Sequence, residues 1–250
     1  MKPLLCSALL LLTFSLNAQA PVAVPIPKEP HHHLVLENDY VRVFRVSVPA
    51  HDATLLHQHD VPYLYIALGP ADVINAVQGK PEVHLVMADG QLGYSRGGFA
   101  HIARTDAGLV FNNVTIELLH PQGEPRNLCE KIIDGPLNDC QNSGTNKVPS
   151  DSALKEPARV AKMEKLFETD EVLAESISLA TKASYIQSGS QPSQLLVALD
   201  NSEVRVDVHG KPSKSLNSGE VLWLEAGNPP TIVDRDGHGA ARFVLLSFKN

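Results

Sequence analysis

Leu64-Tyr65-Ile66-Ala67-Leu68 returns 131 residues later as Leu195-Leu196-Val197-Ala198-Leu199. Each run is short, apolar and rich in strand-forming residues, the pattern of a strand buried on both faces. Working outward at the same offset, Leu36-Glu37-Asn38-Asp39 is matched by Phe167-Glu168-Thr169-Asp170. Gly90, Gly98 and Gly108 are matched by Gly219, Gly227 and Gly237 at an offset of 129. A nearly constant offset across three separate blocks marks a duplicated unit. Within the first copy, Val41-Arg42-Val43-Phe44-Arg45-Val46-Ser47-Val48 alternates as a strand does, and further strand-like runs fall at Tyr63–Leu68, Val83–Met87, Gly93–Ser95 and Val114–Leu119. The second copy offers Val172–Leu179, Gln194–Leu199, Val204–Val208, Gly219–Leu224 and Ala241–Phe248. Many short strands punctuated by Gly, Pro, Asn and Asp predict an all-β sandwich or barrel, built twice.

The segments around the two copies are different in kind. Lys2, the apolar run Leu4 to Leu16 and the small-x-small triplet Ala18-Gln19-Ala20 have the layout of a secretory signal peptide. Cys6 would leave with it. Residues 21–33 carry four prolines and the triplet His31-His32-His33, and are read as an extended, solvated lead-in. Residues 34–122 form the first unit, 123–160 a loop-rich connector and 161–250 the second unit. Pro157–Phe167 is the one helical stretch expected, with Pro157 in its first turn. Cys129 and Cys140 lie in the connector. Export implies an oxidising compartment, the periplasm or the exterior, in which an even pair is expected to form a disulfide.

The chain has 250 residues, enough for two domains of about 100 each. Its hydrophobic content of 43% is that of a globular protein and argues against wholesale disorder. The net charge is −7 and no Lys/Arg block occurs, so nucleic acid and anionic membranes are not expected partners. No apolar run after the leader is long enough to span a bilayer.

Chemistry concentrates in the first copy. His57 and His59 are two apart on a strand, so both imidazoles project from one face. His101 follows Gly97-Gly98-Phe99-Ala100, where small residues allow a tight turn that presents it from a neighbouring strand. Three neutral imidazoles at one point suit a divalent transition metal (Fe, Mn, Zn, Ni or Cu) with positions left open for water or substrate. A pocket of hydrogen-bonded histidines without an ion is the plainer alternative.

These residues resemble the two motifs of the cupin superfamily. In the first, His51 stands where the family has Gly, His57-x-His59 follows at the right spacing, Tyr63 or Leu64 occupies the place of a Glu, and Gly69 closes it. In the second, Gly90, Gly98 and His101 match, while Arg96 replaces Pro and Thr105 replaces Asn. The resemblance implies two tandem cupin-type jelly-roll β-barrels, with metal on His57, His59 and His101. The family's usual Glu ligand is missing, as in three-His members such as thiol dioxygenases. Tyr63 is the candidate catalytic group, placed to donate a hydrogen bond near the metal; packing of Tyr63 and Tyr65 in the barrel is the rival reading. A small-molecule ligand is the implied partner. The family also pairs through barrel faces into homodimers, although two barrels in one chain can satisfy that pairing internally.

At the matching offsets the second copy has Ser188, Ser190 and Pro230 for the three histidines and Gln194 for Tyr63, so it is expected to be a structural or dimerising lobe. His209 and His238 are read as loop residues, and His84, Glu117 and His120 as surface residues. His51 is a remote candidate for the barrel mouth. Arg42 and Arg45 have opposite strand parity, so one of them is expected to face the cavity. Two functions follow: a metal-dependent oxygenase- or lyase-type enzyme acting on a small organic acid, or a non-catalytic module that binds a small ligand or metal.

Overall fold

A computed structural model describes residues 21–106, 108–127, 135–136, 162–200, 204–207, 212–227, 230–234 and 241–249. Residues 1–20, expected as a leader, Cys129 and Cys140 with their expected disulfide, His209 and His238 lie outside these residues, as does most of the connector. Among the described residues no helix is long and apolar enough to cross a membrane.

The first unit contains β1 (Val24–Pro25), a 3-10 turn at Ile26–Lys28, β2 (His32–Glu37), β3 (Val41–Val48), β4 (His57–His59), β5 (Tyr63–Ala67), β6 (Ala71–Val77), β7 (Val83–Met87), β8 (Leu92–Ser95), β9 (Phe99–Arg104) and β10 (Phe111–Leu118). Two short strands follow, β11 (Arg126–Asn127) and β12 (Gly135–Pro136). The second unit contains β13 (Lys162–Glu168), β14 (Val172–Leu179), β15 (Ser184–Ile186), β16 (Gln194–Ala198), β17 (Val204–Asp207), β18 (Lys214–Leu216), β19 (Val221–Leu224), β20 (Thr231–Asp234) and β21 (Ala241–Phe248). In the first barrel a sheet β1-β4-β9-β6-β7 faces a sheet β12-β8-β5-β10-β3-β2. In the second, β11-β13-β14-β21-β16-β19 faces β15-β20-β17-β18. Pairing is antiparallel except between β1 and β4.

The duplication reaches fine detail. The β2–β3 ladder slips between Leu34 and Leu36, and the β13–β14 ladder slips at the equivalent place between Lys165 and Phe167. Gly90 and Gly219 both take left-handed backbone, as do Gly98 and Gly227, which is why glycine stands at these matched turns. His51, in the position of a motif glycine, holds φ at 61°.

The expected helix over 157–167 is corrected in its described part: Lys162–Glu168 is strand β13, paired along β14. Lys, Met, Glu and Leu favour helix locally, but a weak local preference yields to a ladder that buries Leu166 and Phe167. The turn between the strands is fixed by Thr169, whose hydroxyl accepts the N–H groups of Glu171 and Val172.

The two larger sheets pack face to face. Val41, Val43, Leu64, Ile66, Ile116 and Leu118 join Phe167, Val172, Leu195, Val197, Leu246 and Phe248 in one core. The ring of Tyr94 stacks on Phe167 at 4.9 Å. At the edge of the contact Arg242 of the second unit binds Asp89 of the first at 2.6 Å and pairs with Asp200. Strands β3, β5 and β10 are therefore covered on both sides. Their odd-even alternation separates a side facing the other barrel from a side facing the interior of their own.

Candidate metal centre

Strand β4 buries its two histidines and exposes Gln58 between them. Its register with β9 sets His57 directly opposite His101. Ring centroids lie 4.4 Å apart for His57 and His101, 5.1 Å for His57 and His59, and 5.2 Å for His59 and His101. The Gly97-Gly98 turn places β9: Gly98 N–H donates to the His59 carbonyl at 2.7 Å, and Gly97 has φ of 68°. A Cβ on Gly97 would sit 2.2 Å from the Val61 carbonyl oxygen, so only glycine fits.

Two of the three rings are hydrogen-bonded from outside the cluster. His57 Nδ1 bonds the Leu55 carbonyl at 2.9 Å, which requires that nitrogen to carry the proton. His101 Nδ1 meets Asn75 Oδ1 at 2.6 Å, and donation to that oxygen leaves the Nε2 lone pair free. The Nε2 atoms of both residues are buried without a hydrogen-bond partner, as is His59 Nδ1. Unpaired buried polar atoms each cost roughly 1–3 kcal/mol. Unpartnered nitrogens on three neighbouring rings fit a site built for an atom that accepts lone pairs, which is the chemistry of a transition metal.

The sequence reading missed a fourth histidine. His32, taken for part of a solvated lead-in, is buried, with its ring centroid 4.7 Å from His57 and 6.0 Å from His59. The ligand atoms of His32, His57 and His59 all lie within 4.8 Å of one another, a trio in which His32 stands in place of the expected His101. Its Nδ1 bonds Glu29 Oε2 at 2.6 Å. Glu29 is also buried, accepting the His31 N–H at 2.8 Å and, on Oε1, the Leu55 N–H at 3.1 Å. The available signal was the Glu29-x-x-His32 spacing beside buried Ile26. It was masked by proline content, which usually means exposure.

Glu117 is a second correction. It is fully buried, not on the surface, and faces the cluster with Oε1 3.7 Å from His59 Nδ1. Its other oxygen is ion-paired to Arg42 at 2.9 Å. Opposite Glu117 on β5 stands Tyr63, whose ring stacks on His59 at 4.1 Å. Of the two arginines, Arg42 takes the interior side of β3. Arg45 turns to the second barrel, where its guanidinium lies against Gly219. His51 and His120 are exposed, and His84 is exposed and paired with Asp72.

Burial sets the protonation of the cluster. It pushes His57 down to about 4, reinforced by the charge of His32 and opposed by the Leu55 carbonyl and Glu29. It pushes His101 down to about 3, with His57 and His32 adding to the effect, and His59 well below the ordinary range. These imidazoles are neutral near pH 7, the form that binds metals. Burial likewise drives Glu117 up to about 7 against the pull of Arg42. For Glu29 burial acts upward but is outweighed by His32 and the backbone donors of Leu55 and His31, so its carboxyl is held below the usual range.

The cluster opens into a cavity of about 520 Å³. Val46, Val73, Leu85, Met87, Phe99 and Phe111 give it apolar walls, Asn113 and Thr115 face it from β10, and the exposed Lys80 and Arg96 lie at its rim. In the second unit Ser188 and Ser190 are exposed and Pro230 is buried. Gln194 and Ser247, the counterparts of Tyr63 and Glu117, hydrogen-bond to each other at 2.9 Å. The interior there is filled by Ile177, Leu196, Leu216, Ile232, Phe243 and Leu245.

No protein-family model matches the chain, and no curated protein matches it in sequence. Solved structures do match in shape. AerE from Microcystis aeruginosa aligns over 89% of this chain and 99% of its own, with a TM-score of 0.57 at 6% identity. A cupin 2 conserved barrel domain protein from Leptotrichia buccalis aligns over 87% and 88%, with a TM-score of 0.51 at 11% identity. The salicylate 1,2-dioxygenase of Pseudaminobacter salicylatoxidans aligns over 86% and 75%, with a TM-score of 0.55 at 13% identity. At such identities the likeness is one of fold: two tandem cupin-type barrels.

Proposed function

We propose, from the two-barrel cupin fold and its histidine-lined first barrel, that this protein holds a divalent transition metal on His57, His59 and His101 and acts there on a small organic acid. The carrying observation is the set of buried, unpartnered imidazole nitrogens at the end of a cavity of about 520 Å³. A divalent ion in that position supplies Lewis acidity and, if redox-active, electrons for oxygen chemistry. The rest of the work falls to the chain. The Leu55 carbonyl and Asn75 fix the tautomers of His57 and His101. Tyr63 stacks on His59 and lines the cavity, which makes it the candidate catalytic group. Lys80 at the rim favours entry of an anion, and the walls suit an apolar body behind it. A similarly folded protein, the salicylate 1,2-dioxygenase, has been solved with gentisate, a small aromatic acid of the class this cavity suits.

A second reading, a non-catalytic binding module, is favoured by one feature: among the described residues none that lines the cavity is Asp or Glu, and Glu117 behind His59 is engaged by Arg42. Export through the leader at residues 1–20 belongs to either reading. Metal content of the purified protein tests the first step. It should be near one ion per chain and fall on His57→Ala or His101→Ala, and no uptake from Zn²⁺, Fe²⁺ or Mn²⁺ salts would refute the site. Oxygen consumption over a panel of hydroxy acids and thiols then separates turnover from binding.

A further inference from the structure

Residues 24–32 leave the sequence pattern of a linker and enter the construction of the site. Val24 pairs with His57 in the parallel β1–β4 ladder, and its N–H donates to the Leu56 carbonyl at 2.9 Å. Ile26 is buried in the first barrel's interior core beside Phe44 and Val46. Glu29 then makes the decisive connection. One of its oxygens takes the N–H of Leu55, the residue whose carbonyl orients His57, and the other takes Nδ1 of His32. A single buried carboxylate thus orients two imidazoles, one directly and one through a peptide group. With Nδ1 of His32 committed to Glu29, its Nε2 is the nitrogen left for the cluster.

Resting on the metal reading above, we propose that His32 is a fourth protein ligand, and that metal binding latches the N-terminal arm onto the barrel. The motif position that would supply a carboxylate holds Tyr63 or Leu64, neither of them a carboxylate, which leaves room for a ligand from elsewhere. His32 comes from the arm, and its ligand atom lies within 4.8 Å of those of His57 and His59. The negative charge missing from among the direct ligands is supplied one bond further out by Glu29, 2.6 Å from the His32 ring. A carboxylate behind a ligating imidazole fixes its orientation and raises its basicity, and loss of such a partner costs about 10–100-fold in metal affinity. The arrangement also makes the arm responsive: an ion that binds His32 together with barrel residues adds to the hold that the β1–β4 pairing, Ile26 and Glu29 already give the arm.

Zn²⁺ titration combined with amide hydrogen exchange on the whole chain tests this. In the wild type, Zn²⁺ should tighten protection of the His31 and Leu55 amides, which Glu29 accepts, and of the Val24 amide. His32→Ala should still bind Zn²⁺ but at least tenfold more weakly, and its arm amides should no longer respond to the ion. Glu29→Gln should weaken binding less and shorten the same protection. His32→Gln, which retains a donor toward Glu29, gives the same two readouts if the alanine variant fails to fold. A wild type that binds neither Zn²⁺ nor Co²⁺ overturns the metal reading itself. A wild type that binds while His32→Ala binds within twofold of it, with an unchanged arm response, leaves the site standing and overturns the latch.

Discussion

Charge at single residues decides how the metal-free first barrel responds to acid. His57 lies near 4 and His101 near 3 in the fold, against 6.5 when free. Both are lowered, so their contribution to stability is complete above about pH 6.5 and is lost as pH falls toward 4 and below. His57 alone accounts for about 3 kcal/mol across that window. Glu117 has the opposite sign: raised from 4.5 to about 7, it contributes below 4.5 and loses that contribution as pH rises through 7. Three histidines outweigh one carboxyl, so the chelator-treated protein should lose urea resistance steadily from pH 6.5 to 4.5, and His57→Gln should flatten the slope. A second prediction concerns Asn75. Asn75→Leu removes the acceptor that fixes His101 and should weaken Zn²⁺ binding about 10–100-fold, measured against a competing chelator. A third concerns the Arg42–Glu117 pair. Arg42→Met should cost about 1–3 kcal/mol, less than a fully buried pair because Arg42 is partly solvated, and adding Glu117→Gln should recover most of it.

At the scale of elements, the site depends on how β9 leaves its turn. Gly97 has both a left-handed backbone and a carbonyl where a side chain would go. Gly97→Ala should therefore destabilise the protein by roughly 1–3 kcal/mol. It should also displace His101, so that Zn²⁺ affinity drops although no ligand has changed. Thermal melts and chelator competition on one preparation read both effects. The helix expected over 157–167 and the strand β13 differ for a reason of the same scale. Local preference favoured helix, whereas Glu168 is the repeat equivalent of Glu37, and both close the first strand of their unit's hairpin, β13 and β2. The repeat carried more information than the propensity, because it records a tertiary pairing.

Across the whole molecule, the shared core makes the two barrels one cooperative body. Ile116 and Leu246 come from different units and are both fully buried in it. Calorimetry should show a single unfolding transition, and Leu246→Ala should lower it by about 2–5 kcal/mol while the first barrel unfolds with the second. Two resolved transitions would contradict this. The second barrel packs apolar side chains into its interior among the described residues and covers β3, β5 and β10 of the first.

The sequence by itself determined the duplicated all-β architecture and the HxH-plus-His signature, because strand periodicity, turn glycines and a two-residue ligand spacing are local properties. Only the tertiary structure decided the sides of the sheets. In Val114-Thr115-Ile116-Glu117-Leu118 the apolar residues turn to the neighbouring barrel and the polar ones turn inward, so Glu117 reads as surface until both faces of β10 are known to be covered. It alone decided, too, that a proline-rich arm folds back to bring Glu29 and His32 to the cluster. Local patterning reports alternation, whereas which side meets solvent is fixed by what packs against it.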